Sequence, residues 1–245
     1  MPFRIFATCA AVALALCSAN AQADPGYYVV SAYDNAGQRS VDFRYWTVKS
    51  PGSAATIWPE VGIGYGVNSR WYTELYASYI GDWDAGMQLS SWNWQNEVLL
   101  TQGQWPVDIA LHASLIQLHG YERGWAIEYG PVLQTDLWRT QLNFNAFFER
   151  EFIDGEPAEP TELKYQWQVK QRWKPWLSFG LQGFGELGTW NRWAPRSEQS
   201  HRAGPALFGA LPIGGQTLIY QAAILKGQIY GSNGTMFSMR VQLAF

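Results

Sequence analysis

From Trp138 to Glu149 the chain alternates. Trp138, Thr140, Leu142, Phe144, Ala146 and Phe148 share one face of an extended segment, and Arg139, Gln141, Asn143, Asn145 and Glu149 share the other. Period two is the mark of a strand with two unlike faces. Ordinary strands average about 5–6 residues, and this alternation runs about twice that. A soluble sheet hides its apolar face; a membrane barrel turns that face outward to lipid and keeps the polar face inside. One strand reads the same in either setting, so the decision rests on the rest of the chain.

The pattern recurs over about twelve segments, near 40–49, 56–67, 70–80, 88–100, 106–118, 124–136, 138–151, 162–173, 176–188, 202–211, 216–225 and 235–245. Each is near the ~9–11 residues that a tilted strand needs to cross a bilayer, or slightly longer. The connections alternate between tight (68–69, 101–105, 137, 174–175, 212–215) and longer and polar (50–55, 81–87, 119–123, 153–161, 189–201, 226–234). Short turns at one end and longer loops at the other predict an up-and-down antiparallel transmembrane β-barrel. Tyr27–Tyr33 is a candidate extra strand, which leaves the strand count open.

Both chain ends fit export. Arg4, an apolar run from Ile5 to Leu16 and the small-x-small sequence Ala21-Gln22-Ala23 have the form of a secretory signal peptide, residues 1–23, cleaved before Asp24. Cys17 raises a lipoprotein alternative, but Leu16 is not the small residue expected before a lipidated cysteine. Residues 24–39 then form a periplasmic segment and 40–245 the outer-membrane barrel. The chain's 2 cysteines, Cys9 and Cys17, both fall in the leader, so the mature domain is held without disulfides. The terminal strand places Val241, Leu243 and Phe245 toward lipid, with Arg240 and Gln242 inward. Its closing aromatic resembles the signal read by barrel-assembly machinery.

The formal charge is only −3, and no basic patch points to nucleic acid. Aromatic residues make up 16% of the chain, which fits either a large aromatic core or the girdles of a membrane barrel. Mean hydropathy is −0.20, too low for a bundle of membrane helices.

Pro59-Glu60-Val61-Gly62-Ile63-Gly64-Tyr65-Gly66-Val67 with Arg70 and Glu74-Leu75, then Pro106-Val107-Asp108-Ile109-Ala110-Leu111 and Phe148-Glu149-Arg150-Glu151, resemble a family of outer-membrane transport proteins associated with the MetA pathway of phenol degradation. The likeness spans about residues 56–190. It implies a bacterial outer-membrane barrel with outer-membrane lipid around it, and a role in moving small, including aromatic, solutes. It carries no catalytic residues.

The polar phase defines a lumen lining of Arg44, Glu60, Glu74, Glu97, Asp108, Glu128, Arg139, Glu149, Lys164, Lys170, Arg172, Glu186 and Arg240. Mixed signs suit a weakly selective pore or a lumen filled by ion pairs; about twelve strands lie between filled and open barrels. The acidic set Glu60, Glu74, Glu97 and the basic set Lys164, Lys170, Arg172 lie on different strands and are placed to create a transverse field. The enzymatic alternative is a lipid hydrolase with Ser114 as nucleophile, His112 as base and Glu128 orienting it. Against it, the pair falls on the inner face and no Asn follows the serine. No cofactor or metal is expected, since His112, His119 and His201 are scattered. Ser232-Asn233-Gly234 reads as turn chemistry. The acidic loop Asp154–Pro160 reads as solvated or weakly cation-binding. Trp190, Arg192, Trp193 and Arg196 read as an interfacial girdle or a solute-stacking patch.

Overall fold

The computed structural model describes residues 27–32, 36–49, 52, 54–82, 86–120, 123–229 and 232–245. The leader expected at 1–23 lies outside these residues, as does Tyr33. The fold is a closed barrel of strands β1 (Arg39–Lys49), β2 (Thr56–Gly66), β3 (Trp71–Asp82), β4 (Gly86–Leu99), β5 (Asp108–Leu118), β6 (Gly124–Leu137), β7 (Thr140–Ile153), β8 (Glu162–Lys174), β9 (Leu177–Thr189), β10 (Ser200–Ile213), β11 (Gln216–Ile229) and β12 (Ser232–Ala244). Every strand is antiparallel to its neighbours in the chain, and β12 closes on β1. Closure leaves the sheet no unpaired edge, which strands need in order to cross lipid.

The faces are inverted relative to a soluble protein. Ile63, Leu181 and Ile224 are 61%, 50% and 53% exposed on the outside, whereas Arg44, Glu128 and Asn145 are 1%, 0% and 0% exposed within. Such an outer surface matches hydrocarbon, where a charged side chain is costly and apolar ones are at home. The aromatics divide between two rims. Trp71, Trp105, Trp138, Trp173 and Trp176 are exposed at the end bearing the chain's tight turns, and Tyr79, Trp125, Phe152, Trp190 and Trp193 at the other. These are girdles.

Several local expectations change. Trp138 and Arg139 form the β6–β7 turn rather than the start of a strand, with Trp138 at φ 57°. A two-residue hairpin needs positive φ, so Arg139 leaves the lumen phase and stacks over the exposed Trp138 ring, 5.2 Å from its centre. The strands flanking 83–85 and 230–231 run further than expected, so those connections are short despite lying at the long-loop end. Ser232-Asn233-Gly234 accordingly belongs to β12, paired through Ile229↔Ser232. Between β4 and β5 the turn lengthens to residues 100–107. There Asp108 accepts a bond from Gly103 N at 2.6 Å, and Thr101 Oγ1 accepts one from Ile109 N at 2.8 Å. Asp108 therefore closes a turn instead of lining a pore.

Arg39 and Phe245 exchange two backbone hydrogen bonds of 2.9 Å at the end of the β1–β12 seam, and Phe245 is exposed. Deleting Phe245 removes both bonds and a lipid-facing ring. Lower amounts of heat-modifiable barrel in outer membranes are expected; undiminished insertion would contradict this.

Candidate functional site

The lumen is occupied by the chain itself. Residues 27–32, expected in a periplasmic segment or as an extra wall strand, run through the barrel interior, and Tyr27, Tyr28, Val29, Val30 and Ala32 are buried there. Their side chains alternate as a strand's do. Tyr27 and Val29 pack on Trp46, Phe184, Phe208 and Met236, while Tyr28, Val30 and Ala32 pack on Leu99, Val132 and Phe147. The segment is apolar and has a concave apolar strip on each side, so it enters the lumen rather than adding to an already closed wall.

Its backbone is satisfied by side chains of the wall. Val30 N donates to Gln166 Oε1 at 3.2 Å, Asn145 Nδ2 to Val30 O at 3.0 Å, and Ala32 N to Gln134 Oε1 at 3.3 Å. Ser238 Oγ donates to Tyr27 O. The two tyrosines reach further, Tyr27 Oη donating to Glu186 Oε1 at 3.0 Å and Tyr28 Oη to Gln95 Oε1 at 2.8 Å.

Tyr28 leads into the densest charge cluster. The Arg44 guanidinium lies between two rings, 3.5 Å from the centre of Tyr28 and 3.6 Å from that of Tyr76. It bonds Glu74 Oε2 at 3.0 Å and Gln95 Oε1 at 3.1 Å, and stands 3.7 Å from Glu60 and 4.0 Å from Asp42. Arg240 joins Asp42 and Glu74, the latter at 3.0 Å. Tyr76 Oη donates toward Asp42 at 2.9 Å or Glu74 at 2.8 Å. Gly62 makes this possible: a Cβ there would lie 2.3 Å from the Tyr76 ring, which rests flat on the β2 wall.

Elsewhere the pairing is local. Lys164 bonds Glu149 at 2.6 Å, Arg202 pairs with Glu186 at 2.5 Å, and Arg172 meets Asp136 at 2.8 Å at the rim, where both side chains are about two-fifths exposed. The expected transverse field is therefore not assembled. Glu60 and Glu74 share Arg44, Glu97 binds His112, and Lys164 and Arg172 have their own carboxylates. Lys170 alone of the basic set lacks one among the described residues.

His112 and Ser114 do face the lumen, and Glu128 does bond His112, Nε2 to Oε1 at 3.2 Å. Glu97, however, takes Nδ1 at 3.0 Å. With a carboxylate at each ring nitrogen, neither is available to accept a proton from Ser114, whose Oγ has no hydrogen-bond partner among the described residues. The base–nucleophile contact that a hydrolase requires is missing. His201 is held by Tyr165 and Gln199, each at 2.8 Å. Among the described residues no group of three or more His, Cys, Asp or Glu is arranged to hold a metal ion. In the acidic loop, Glu159 N bonds back to Glu151 O at 3.2 Å. Trp190 packs edge-on against the outward Phe148, with ring centres 6.3 Å apart, as a girdle residue does.

The expected list omitted Asp42, Tyr76, Gln95 and Arg202. Asp42 lies two residues from Arg44 on the same face of β1, so strict use of period two identifies it. Nothing in the periodicity marks Tyr27 and Tyr28 as lumen residues.

Comparison with solved structures supports the architecture. An outer-membrane channel from Pseudomonas putida F1 is similar with a TM-score of 0.57 at 11% identity, over 91% of this chain and 100% of that one. The NanC porin gives 0.56 at 10% identity, over 84% and 98%. The translocator domain of the autotransporter NalP from Neisseria meningitidis gives 0.51 at 10% identity, over 86% and 89%. These likenesses establish an outer-membrane-type β-barrel. No family model matches the chain, and no curated protein matches it.

Proposed function

We propose that the protein is a channel for small solutes in the bacterial outer membrane, closed by its own residues 27–32. The observation that carries this reading is that the stopper is separate from the wall. It forms no rung of the barrel ladder and is held by side chains that return to the lumen surface when it leaves. Burying side chains such as Tyr27, Tyr28, Val29 and Val30 is worth roughly 1.5–3 kcal/mol each. Fixing the backbone of this short segment costs roughly 1–2 kcal/mol per residue. The two sums are of the same size, which makes the segment releasable. The resemblance of residues 56–190 to the MetA-pathway family supports a transport role, with aromatic compounds among the solutes. Export through a cleaved leader, and recognition of Val241, Leu243 and Phe245 by barrel-assembly machinery, belong to the same reading.

A second reading, a structural barrel permanently plugged, draws on the Arg44 and Arg240 network, much of which lies in the wall itself. Planar-bilayer recording separates the two. Replacing Tyr27, Tyr28, Val29 and Val30 by glycine is expected to raise open probability at least roughly tenfold, which asks for only ~1.4 kcal/mol. A variant as silent as the native barrel favours the permanent plug.

A further inference from the structure

Below the segment, at the end carrying Arg39 and Phe245, the lumen keeps a cavity of about 340 Å³. Val29, Val30 and Ser31 roof it, and Gln168, Lys170, Phe208, Ile219 and Gln221 line one side. Small-molecule sites begin at about 300 Å³. We infer that this vestibule binds a small organic monocarboxylate, with the carboxylate on Lys170 and an apolar body against Ile219. The inference deepens the channel reading by naming a solute class; it rests on that reading for the claim that the bound acid is cargo, though not for the binding itself.

The inward cations Arg44, Lys164, Arg202 and Arg240 each have a carboxylate within 4.0 Å. Lys170 has none. Arg172, two residues along the same face of β8, is already taken by Asp136. Glu74 and Glu97 also border the cavity, but they are engaged by Arg44 with Arg240 and by His112. Asp136 acts on Lys170 only at longer range, with Arg172 beside it; a partly buried ammonium with no carboxylate in contact is costly, and an anion entering the cavity relieves that cost.

The surroundings choose the anion. Lys170 Nζ stands 5.5 Å from the centre of the Phe208 ring, and Ile219 is 39% exposed on the lumen face. A single ammonium is a point charge suited to one carboxylate, whereas phosphoryl groups favour the planar forks of arginine. Phe208 itself is only 3% exposed, so the free apolar surface is that of Ile219, and it calls for a carbon body. Gln168, only 6% exposed, has an Oε1 with no hydrogen-bond donor among the described residues, so the same wall can also accept a hydroxyl hydrogen from the solute.

The test uses the full mature barrel folded in detergent, with cyclohexanecarboxylate and its uncharged match cyclohexanecarboxamide as probes in titration calorimetry. The native protein is expected to bind the acid at least roughly tenfold more tightly than the amide, the usual scale of a hydrogen bond to a charged group. Lys170→Met should abolish that preference and Lys170→Arg should retain it, with heat-modifiable migration confirming that each variant is folded. Equal binding of acid and amide by the native protein overturns the inference, as does an undiminished preference in Lys170→Met. Acid binding without any bilayer conductance would leave the site standing and remove the channel; conductance without acid preference would do the reverse.

Discussion

Arg44→Met is expected to be the most destabilising single substitution in the lumen. The methionine keeps much of the stem's packing but leaves Asp42, Glu60 and Glu74, each at most 3% exposed, without their shared cation. Breaking a buried ion pair by removing one partner costs about 3–5 kcal/mol. Arg240 still reaches Asp42 and Glu74, which places the effect toward the lower end. Arg172→Met provides the contrast. Its pair with Asp136 sits at the rim with side chains 41% and 38% exposed, where an ion pair is worth about 0–1 kcal/mol. Denaturant unfolding of the two variants in detergent should separate them clearly. An Arg44→Met barrel as stable as the native one would contradict the role given to the cluster.

Much of the wall was legible as text. Alternation requires only that one side of each strand meet lipid and the other the lumen, and residues such as Leu142, Phe144, Asn143 and Asn145 carry that signal directly. The failures have physical causes. Arg139 keeps the alternating phase in the sequence but sits in a turn whose left-handed residue breaks it. Tyr27–Ala32 alternates as a wall strand does because it too lies between two different surfaces, both of them inside the barrel. Period two cannot distinguish pairing in a ladder from threading a lumen. The isolation of Lys170 was equally hidden. Which charges neutralise one another depends on cross-strand register, as with Glu149 and Lys164 on adjacent strands, and the sequence does not display register. Period two gives the phase of His112 and Ser114, but the second carboxylate, Glu97, that occupies the ring comes from β4 lying beside β5.

The central claim is that residues 27–32 close the barrel and can leave it, and a reversible tether tests it most directly. Ala32 N lies 3.3 Å from Gln134 Oε1, and the chain has no cysteine after Cys17. Ala32→Cys with Gln134→Cys, in protein produced from residue 24 onward, therefore gives the barrel a single thiol pair, one on the segment and one on β6. A short bis-methanethiosulfonate reagent bridges the pair and a reductant releases it. In planar bilayers the account predicts current steps in the reduced protein that vanish on bridging and return on release. Current steps of the same size and frequency in the bridged and released states would contradict it.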